Sequence, residues 1–547
     1  MKKVQILVGI GVVLLIAVLV SPVLAAYNHA GEADAPNFLL AYPKLAGTKL
    51  DNCTLCHTGG SYISSGKTTT LGSCQWCHYK YGYNKSGDIT ATLNTFGKDY
   101  LAQGRNKAAF AAIEAKDSDG DGFTNIAEIN AIRYPGDATD DPTKIVAPFR
   151  IYTKAQLQAM PQSTQFMLMN TTKSGDSYGE YSGVVMQDLL KTAGMTSTAT
   201  KITVYAPDGF AQGHPLEDSA LNIGSSYSPF VNGTYPAATY YYDIQADKAL
   251  NAASGWCDYS SPRTAGRKHG DALTNTNGLR LLLALKAEGK DLVPGVMDAT
   301  NRLTTTSEGP FRTISPQKVV GPPDQASTSA NQAVKWPYDT TADHNAGFSS
   351  KCATIVKVEP LPTGTTDINV LESGWNYIDQ QKIVIYGALA GPAIITPADG
   401  EKNVAGNGAT LTWNKIFDPD PAAGVTYTLE LSKDQVTWTA LKTMVASADK
   451  SQKPVYAGAV PFMYFGFAGI IGLLIPPKNR KSIGMIFLIM TAGLVIYACG
   501  GGTTDSVPTT MGTTITQPLD AKTTYYLRIT ADGPNSHSTS VSSFTTG

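Results

Sequence analysis

The chain has 547 residues, is 42% hydrophobic and 16% charged, and carries a formal net charge of -1. This length exceeds one ordinary domain and implies two to four. The composition is that of a globular protein, and no stripe of Lys and Arg marks a nucleic-acid surface, so nucleic acid is not an expected partner. The 52 Gly and 31 Pro point to many turns, and hence to much β-structure and loop.

Lys2 and Lys3 precede an almost wholly apolar run, Val4–Val20, and Val23-Leu24-Ala25 supplies a signal-peptidase context. Residues 1–26 therefore read as a secretory signal peptide, cut after Ala25 or Ala26. An uncleaved membrane anchor is the alternative, for which the run is short. Export would place the cysteines in an oxidising compartment.

Residues 27–145 hold two pentapeptides, Cys53-Thr54-Leu55-Cys56-His57 and Cys74-Gln75-Trp76-Cys77-His78. In a c-type site two thiols add to porphyrin vinyl groups and the adjacent His ligates iron. One helical turn puts Cys i, Cys i+3 and His i+4 on one face, as a flat macrocycle requires. The expectation is two haem c groups, attached at Cys53, Cys56, Cys74 and Cys77, with His57 and His78 as axial ligands. The same cysteine spacing also fits a four-cysteine zinc ribbon, or two disulfides. The His after each pair and the export signal favour haem. His29 is the first candidate for a sixth ligand, with a surface histidine as the alternative. The second haem would take His214, His269, His344 or a Met, or keep an open position.

Next, Asp117-Ser118-Asp119-Gly120-Asp121-Gly122-Phe123-Thr124-Asn125-Ile126-Ala127-Glu128 follows an EF-hand loop position by position. Asp117, Asp119, Asp121, Asn125 and Glu128 supply side-chain oxygens and Phe123 its carbonyl, a set that suits Ca²⁺. An acidic turn capping the helix near Asn125 is the bland alternative. The segment Leu93-Asn94-Thr95-Phe96-Gly97-Lys98-Asp99-Tyr100 through Pro135-Gly136-Asp137 resembles multihaem cytochromes of metal- and sulfur-respiring bacteria. Those proteins carry a CxxCH region, an Asn-x-(Phe/Tyr)-Gly segment and an Asp-Ser-Asp-Gly-Asp-Gly loop. The resemblance covers residues 28–142 and implies a periplasmic or surface electron carrier.

From about 148 to 390 the texture is mixed strand and helix. Tyr181–Leu190, Lys201–Ala206, Pro207-Asp208-Gly209-Phe210 and Glu308-Gly309-Pro310-Phe311-Arg312 look like the α+β molybdopterin-binding domain of the sulfite oxidase family. That likeness implies a cysteine ligand to molybdenum, but neither Cys257 nor Cys352 sits in the family's ligand context. A domain without molybdopterin is expected, with Cys257 and Cys352 as a candidate disulfide or as unpaired core residues. Arg263, Arg267, Lys268 and His269 form a local basic cluster, either an anion site or a solvated loop.

Residues 391–547 alternate as a β-sandwich. Leu411-Thr412-Trp413 and Leu519–Ala531 resemble the fibronectin type III fold, with Tyr525 as its corner tyrosine. Two uncharged runs interrupt the sandwich, Val455–Ile475 and Ile483–Ala498, separated by Pro476-Pro477-Lys478-Asn479-Arg480-Lys481. The expectation is a two-helix transmembrane hairpin, residues 455–475 and 483–498, with its basic turn in the cytoplasm. A buried core hairpin is the alternative. Ile496-Tyr497-Ala498-Cys499 is a weak lipobox, so Cys499 is a candidate lipidation site.

The expected whole is multidomain: a small, mainly helical dihaem domain, a sulfite-oxidase-like α+β domain, and a β-sandwich carrying the hairpin. The expected location is the periplasmic side of the inner membrane, anchored by that hairpin. The expected function is one-electron transfer in respiration with redox partner proteins. Two other readings remain open from sequence: a haem-linked molybdopterin oxidoreductase acting on a small oxyanion, and a redox-sensing binding module.

Overall fold

The computed structural model describes residues 33–59, 61–64, 67–71, 80, 88–169, 177–207, 210–217, 230–234, 238–241, 272–275, 278–295, 308–316, 345–369, 375–420, 424–446 and 510–547. Outside them lie the signal segment, His29, the pentapeptide Cys74–His78, Cys257, the Arg263–His269 cluster, His344, both apolar runs and Cys499. The described residues fall into two compact units that part at Gly391 and Pro392, with Asn535–Thr539 belonging to the first.

In the first unit, the described residues before 145 include the α-helices α1 (Asp34–Ala41), α2 (Thr54–His57), α3 (Thr95–Ala102), α4 (Lys107–Ile113) and α5 (Asn125–Ala131). Asparagine side chains start two of them. Asn94 Oδ1 accepts from the Gly97 amide and Asn106 Oδ1 from the Ala109 amide, satisfying amides that a helix N-terminus leaves without intrahelical partners. Phe96 and Tyr100 share one face of α3 at i, i+4 spacing. Both stack on Phe110 of α4, Tyr100 at 4.2 Å between centroids. Phe38, Leu50, Leu55, Ile113, Ile129 and Tyr134 complete this core.

The two larger sheets among the described residues of this unit follow. The first runs β1 (Phe149–Thr153), β9 (Lys382–Gly387), β8 (Ile355–Glu359), β4 (Lys201–Tyr205), β5 (Ala211–Pro215), with only β8 and β9 parallel. The second joins β2 (Ser163–Met169), β3 (Ser177–Val185) and β6 (Leu282–Ala287), with β7 (Arg312–Ile314) also on β6. Helix α6 (Met186–Ala193) leaves β3 directly and buries Met186, Leu189, Leu190 and Ala193. It ends at Gly194, whose φ of 89° suits a residue without a Cβ.

The helical part is tied to this sheet region through Lys49, which is fully buried. Its Nζ lies 2.6 Å from Asp140 and 2.9 Å from the Thr366 hydroxyl, and sits over the Tyr134 ring. Burial pushes the Lys49 pKa down, against the pull of Asp140, and pushes that of Asp140 up.

The second unit is two antiparallel layers around one core. One layer contains β10 (Ile394–Thr396), β12 (Thr410–Asn414) and β15 (Thr510–Thr514). The other contains β13 (Val425–Ser432), β14 (Thr439–Ala446), β16 (Thr524–Gly533) and β17 (Ser536–Thr546). The short strand β11 (Glu401–Val404) runs parallel to the end of β17. Alternate residues of β13 and β16 point inward, as a sheet wetted on one face dictates. Leu411, Trp413, Tyr427, Leu429, Leu527, Ile529 and Phe544 meet in the core. Strands before residue 447 pair with strands after residue 509, so the sandwich closes across the intervening segment. The hydroxyl of Tyr525 accepts from the Asp520 amide at 3.0 Å, a bond back to backbone upstream of the strand.

The expected transmembrane hairpin, and with it the expected anchoring at a membrane, is corrected. Among the described residues no helix is long and apolar enough to cross a membrane, and the described elements are mostly strand. Residues 455–475 and 483–498 themselves lie outside the described residues.

Candidate haem-attachment turn and metal centre

Cys53 caps the four-residue helix α2, and Cys56 and His57 lie on that same turn. Leu55, between the cysteines, is buried in the helical core and pins the turn to the domain. His57 Nδ1 lies 3.0 Å from the Thr92 carbonyl oxygen and 2.8 Å from the Thr92 hydroxyl. A carbonyl can only accept, so the ring proton belongs on Nδ1 and the lone pair on Nε2. Ligating histidines are commonly oriented in this way. Burial lowers the imidazole pKa, against the Thr92 bond, and favours the neutral, ligating form. Two thiols and one oriented imidazole on a single turn are the donors that covalent haem attachment uses.

The segment Asn94-Thr95-Phe96-Gly97 holds this turn from behind. The Asn94 amide nitrogen donates to the Cys56 carbonyl at 2.8 Å. Its side-chain Nδ2 donates to the carbonyls of Leu55, at 3.0 Å, and Thr58, at 2.7 Å. Its Oδ1 caps α3. A Cβ on Gly97 would lie 2.5 Å from the Cys56 carbonyl oxygen, so only glycine lets α3 approach this closely. Gly136 passes equally close to the Asn94 side chain.

The second cluster is the loop between α4 and α5. Ligand oxygens of Asp117, Asp119 and Asp121 all lie within 4.8 Å of one another. Gly120 and Gly122 take φ of 83° and 98°, which turn the loop around the carboxylates. One oxygen of Asp119 and one of Asp121 turn back to loop amides, while the other oxygen of each is buried with no hydrogen-bond partner among the described residues. Glu128 is 0% exposed, and both its carboxylate oxygens also have no hydrogen-bond partner among the described residues.

Burial, then the charges of Asp119, Asp121 and Asp117, push the Glu128 pKa up to about 9. Burial and the neighbouring Asp121 push Asp119 up to about 6. A buried carboxylate left this way is costly, and a divalent cation in an all-oxygen cage removes the cost. The donor set therefore fits Ca²⁺. Asn125, expected at the ninth ligand position, is hydrogen-bonded within the loop. Its Nδ2 donates to the Ile113 carbonyl and the Ser118 hydroxyl, and its Oδ1 accepts from the Ser118 amide. These bonds fasten the loop. Phe123 follows the carboxylates, with its amide on Asp121.

Elsewhere, Cys352 is fully buried and its amide donates to the Glu308 carbonyl. Glu308 pairs with Arg312 at 2.9 Å. His214, one of the sixth-ligand candidates, is fully buried on β5. Cys74, Cys77, His78, His29 and Cys257 lie outside the described residues. Sequence reasoning did not single out Thr92, because no local pattern marks a carbonyl 35 residues from its histidine. The roles of Asn94 and Gly97 were signalled only by the Asn-x-Phe-Gly string. No family model, no curated protein and no solved structure matches the chain.

Proposed function

We propose that this chain is a dihaem c-type cytochrome that passes single electrons between redox partner proteins, with a calcium loop in the same helical domain. The supporting observation is the His57 imidazole, oriented by Thr92 on the same turn as Cys53 and Cys56. When bound, haem supplies an iron that accepts and returns one electron. Cys53 and Cys56 supply the thiols for attachment. His57 offers Nε2, and the Thr92 carbonyl raises the basicity of that nitrogen. Leu55 and Asn94 keep the turn from moving, which limits the reorganisation that accompanies a change of charge. Cys74, Cys77 and His78 repeat the same donor set in sequence, and His29 is the first candidate sixth ligand.

The test is pyridine haemochrome quantitation of the full chain, with metal analysis. Two covalent haems per chain are expected, falling to one in the C53A/C56A variant. Stoichiometric zinc without haem would sink the reading. Stopped-flow reduction and reoxidation by a small mediator would show turnover of one electron per haem.

A further inference from the structure

The cation loop and the haem-attachment turn are joined by two chains of contacts. The first runs through α3. Ser118 Oγ, at the second position of the loop, donates to Asp99 Oδ2 at 2.7 Å, and Lys116 Nζ donates to Asp99 Oδ1 at 2.7 Å. Asp99 belongs to α3, whose N-terminal end is Asn94 and Gly97, packed on the carbonyls of Leu55, Cys56 and Thr58. The second chain leaves the last loop position. The Glu128 carbonyl accepts from the Arg133 amide. Arg133 is followed by Tyr134, whose hydroxyl lies 3.2 Å from Thr54 Oγ1 and donates to the Lys49 carbonyl. Thr54 is the first residue of α2.

The acidic cluster sits at the junction of these chains. Its buried carboxylate Glu128, with no hydrogen-bond partner for either oxygen among the described residues, needs a cation to stay where it is. Without one, the buried oxygens of Glu128, Asp119 and Asp121 keep no partner among the described residues and the aspartates repel one another, loosening both chains. We infer that Ca²⁺ in the Asp117–Glu128 loop braces the Cys53–His57 turn, so that calcium occupancy sets how firmly the first haem is held and hence its potential. This rests on the haem and calcium readings above. Linkage makes the effect reciprocal: whatever holds the turn also tightens calcium.

The test uses the full-length protein, stripped with EGTA and then titrated with CaCl2 alone. Hydrogen exchange by mass spectrometry reads the peptides spanning 53–58 and 94–99, and a redox titration reads the haem. Calcium should bind at one per chain. It should slow exchange of both peptides by about fivefold or more, the usual lower range of such coupling, and shift the potential of one haem. Glu128→Gln should show the loose pattern with or without calcium. Asp99→Asn should still bind calcium while the response of peptide 94–99 is lost.

Failure to bind calcium, or exchange unchanged by bound calcium, would overturn the inference. A chain that lacks haem yet shows the exchange response would overturn the cytochrome reading and the claim on potential, while the brace would stand. A haem-loaded chain without the response would overturn the brace alone.

Discussion

His57 Nδ1 lies 3.0 Å from the carbonyl oxygen of Thr92, and this one contact decides which ring nitrogen keeps its lone pair. Thr92 precedes Leu93 and Asn94, so the residue that orients the imidazole is two positions from the residue that clamps the turn. The hydroxyl of Thr92 adds a second contact at 2.8 Å. Because the carbonyl is backbone, its bond survives any substitution at Thr92 that keeps the chain path.

Asn94→Ala removes a helix cap worth about 1 kcal/mol and leaves two carbonyls without their side-chain donor, at about 1–3 kcal/mol. The expected loss is about 2–4 kcal/mol of stability with a lower haem-to-protein ratio. Asn94→Asp keeps the cap acceptor and loses only the donors, so it should fall between wild type and Ala. Urea denaturation and haemochrome yield read both effects.

Gly97→Ala places a methyl 2.5 Å from the Cys56 carbonyl and 2.9 Å from Leu93 Cδ2. Overpacking of this kind costs about 1–3 kcal/mol. The expected signature is a shifted Soret band in the fraction that still attaches haem. An unchanged spectrum and melting temperature would show that α3 and the turn are not in firm contact.

Lys49→Met should be among the more damaging single changes, because it leaves Asp140 buried with a weaker partner in Arg133, 3.7 Å away. Removing one partner of a buried pair costs about 3–5 kcal/mol. Adding Asp140→Asn removes the stranded charge and should recover part of that loss. Denaturation midpoints of the single and double variants form the check, and a double variant worse than Lys49→Met would contradict it.

Asp434 gives the pH prediction. The Thr437 and Val436 amides and the Ser432 hydroxyl hold its pKa down at about 2, below the ordinary carboxylate value of about 3.9. Its contribution is therefore fully present above the ordinary value and is lost as pH falls through about 2. Asp434→Ala should flatten the acid limb of sandwich stability between about pH 4 and pH 2, read by hydrogen exchange of the peptides from β13 and β14. An identical acid limb would contradict the assignment.

The local motifs were readable because their chemistry is local. Cys53, Cys56 and His57 sit on one turn, and the carboxylates of Asp117, Asp119 and Asp121 gather within a single loop. The alternation in Val425–Ser432 and Thr524–Gly533 likewise marked inward and outward faces. The transmembrane expectation is not supported among the described residues, where no helix is long and apolar enough to cross a membrane. The ninth loop position of Asn125 follows from spacing, whereas its hydrogen bonds to Ser118 and Ile113 come from the fold.

The sequence by itself determined the donor types: two thiols with an adjacent imidazole, and a carboxylate loop of calcium spacing. These depend on neighbours along the chain, which covalent geometry brings together. Only the tertiary structure decided how those donors are held. It placed the Thr92 carbonyl on His57, Asn94 and Gly97 behind Cys56, Asp99 on Ser118, and Lys49 against Asp140 and Thr366. Those partners lie between 19 and 317 residues apart where the two chemistries and the middle sheet are joined. They meet because burying the aromatic core of the helices leaves no other place for their polar groups, and a buried polar group must find a partner.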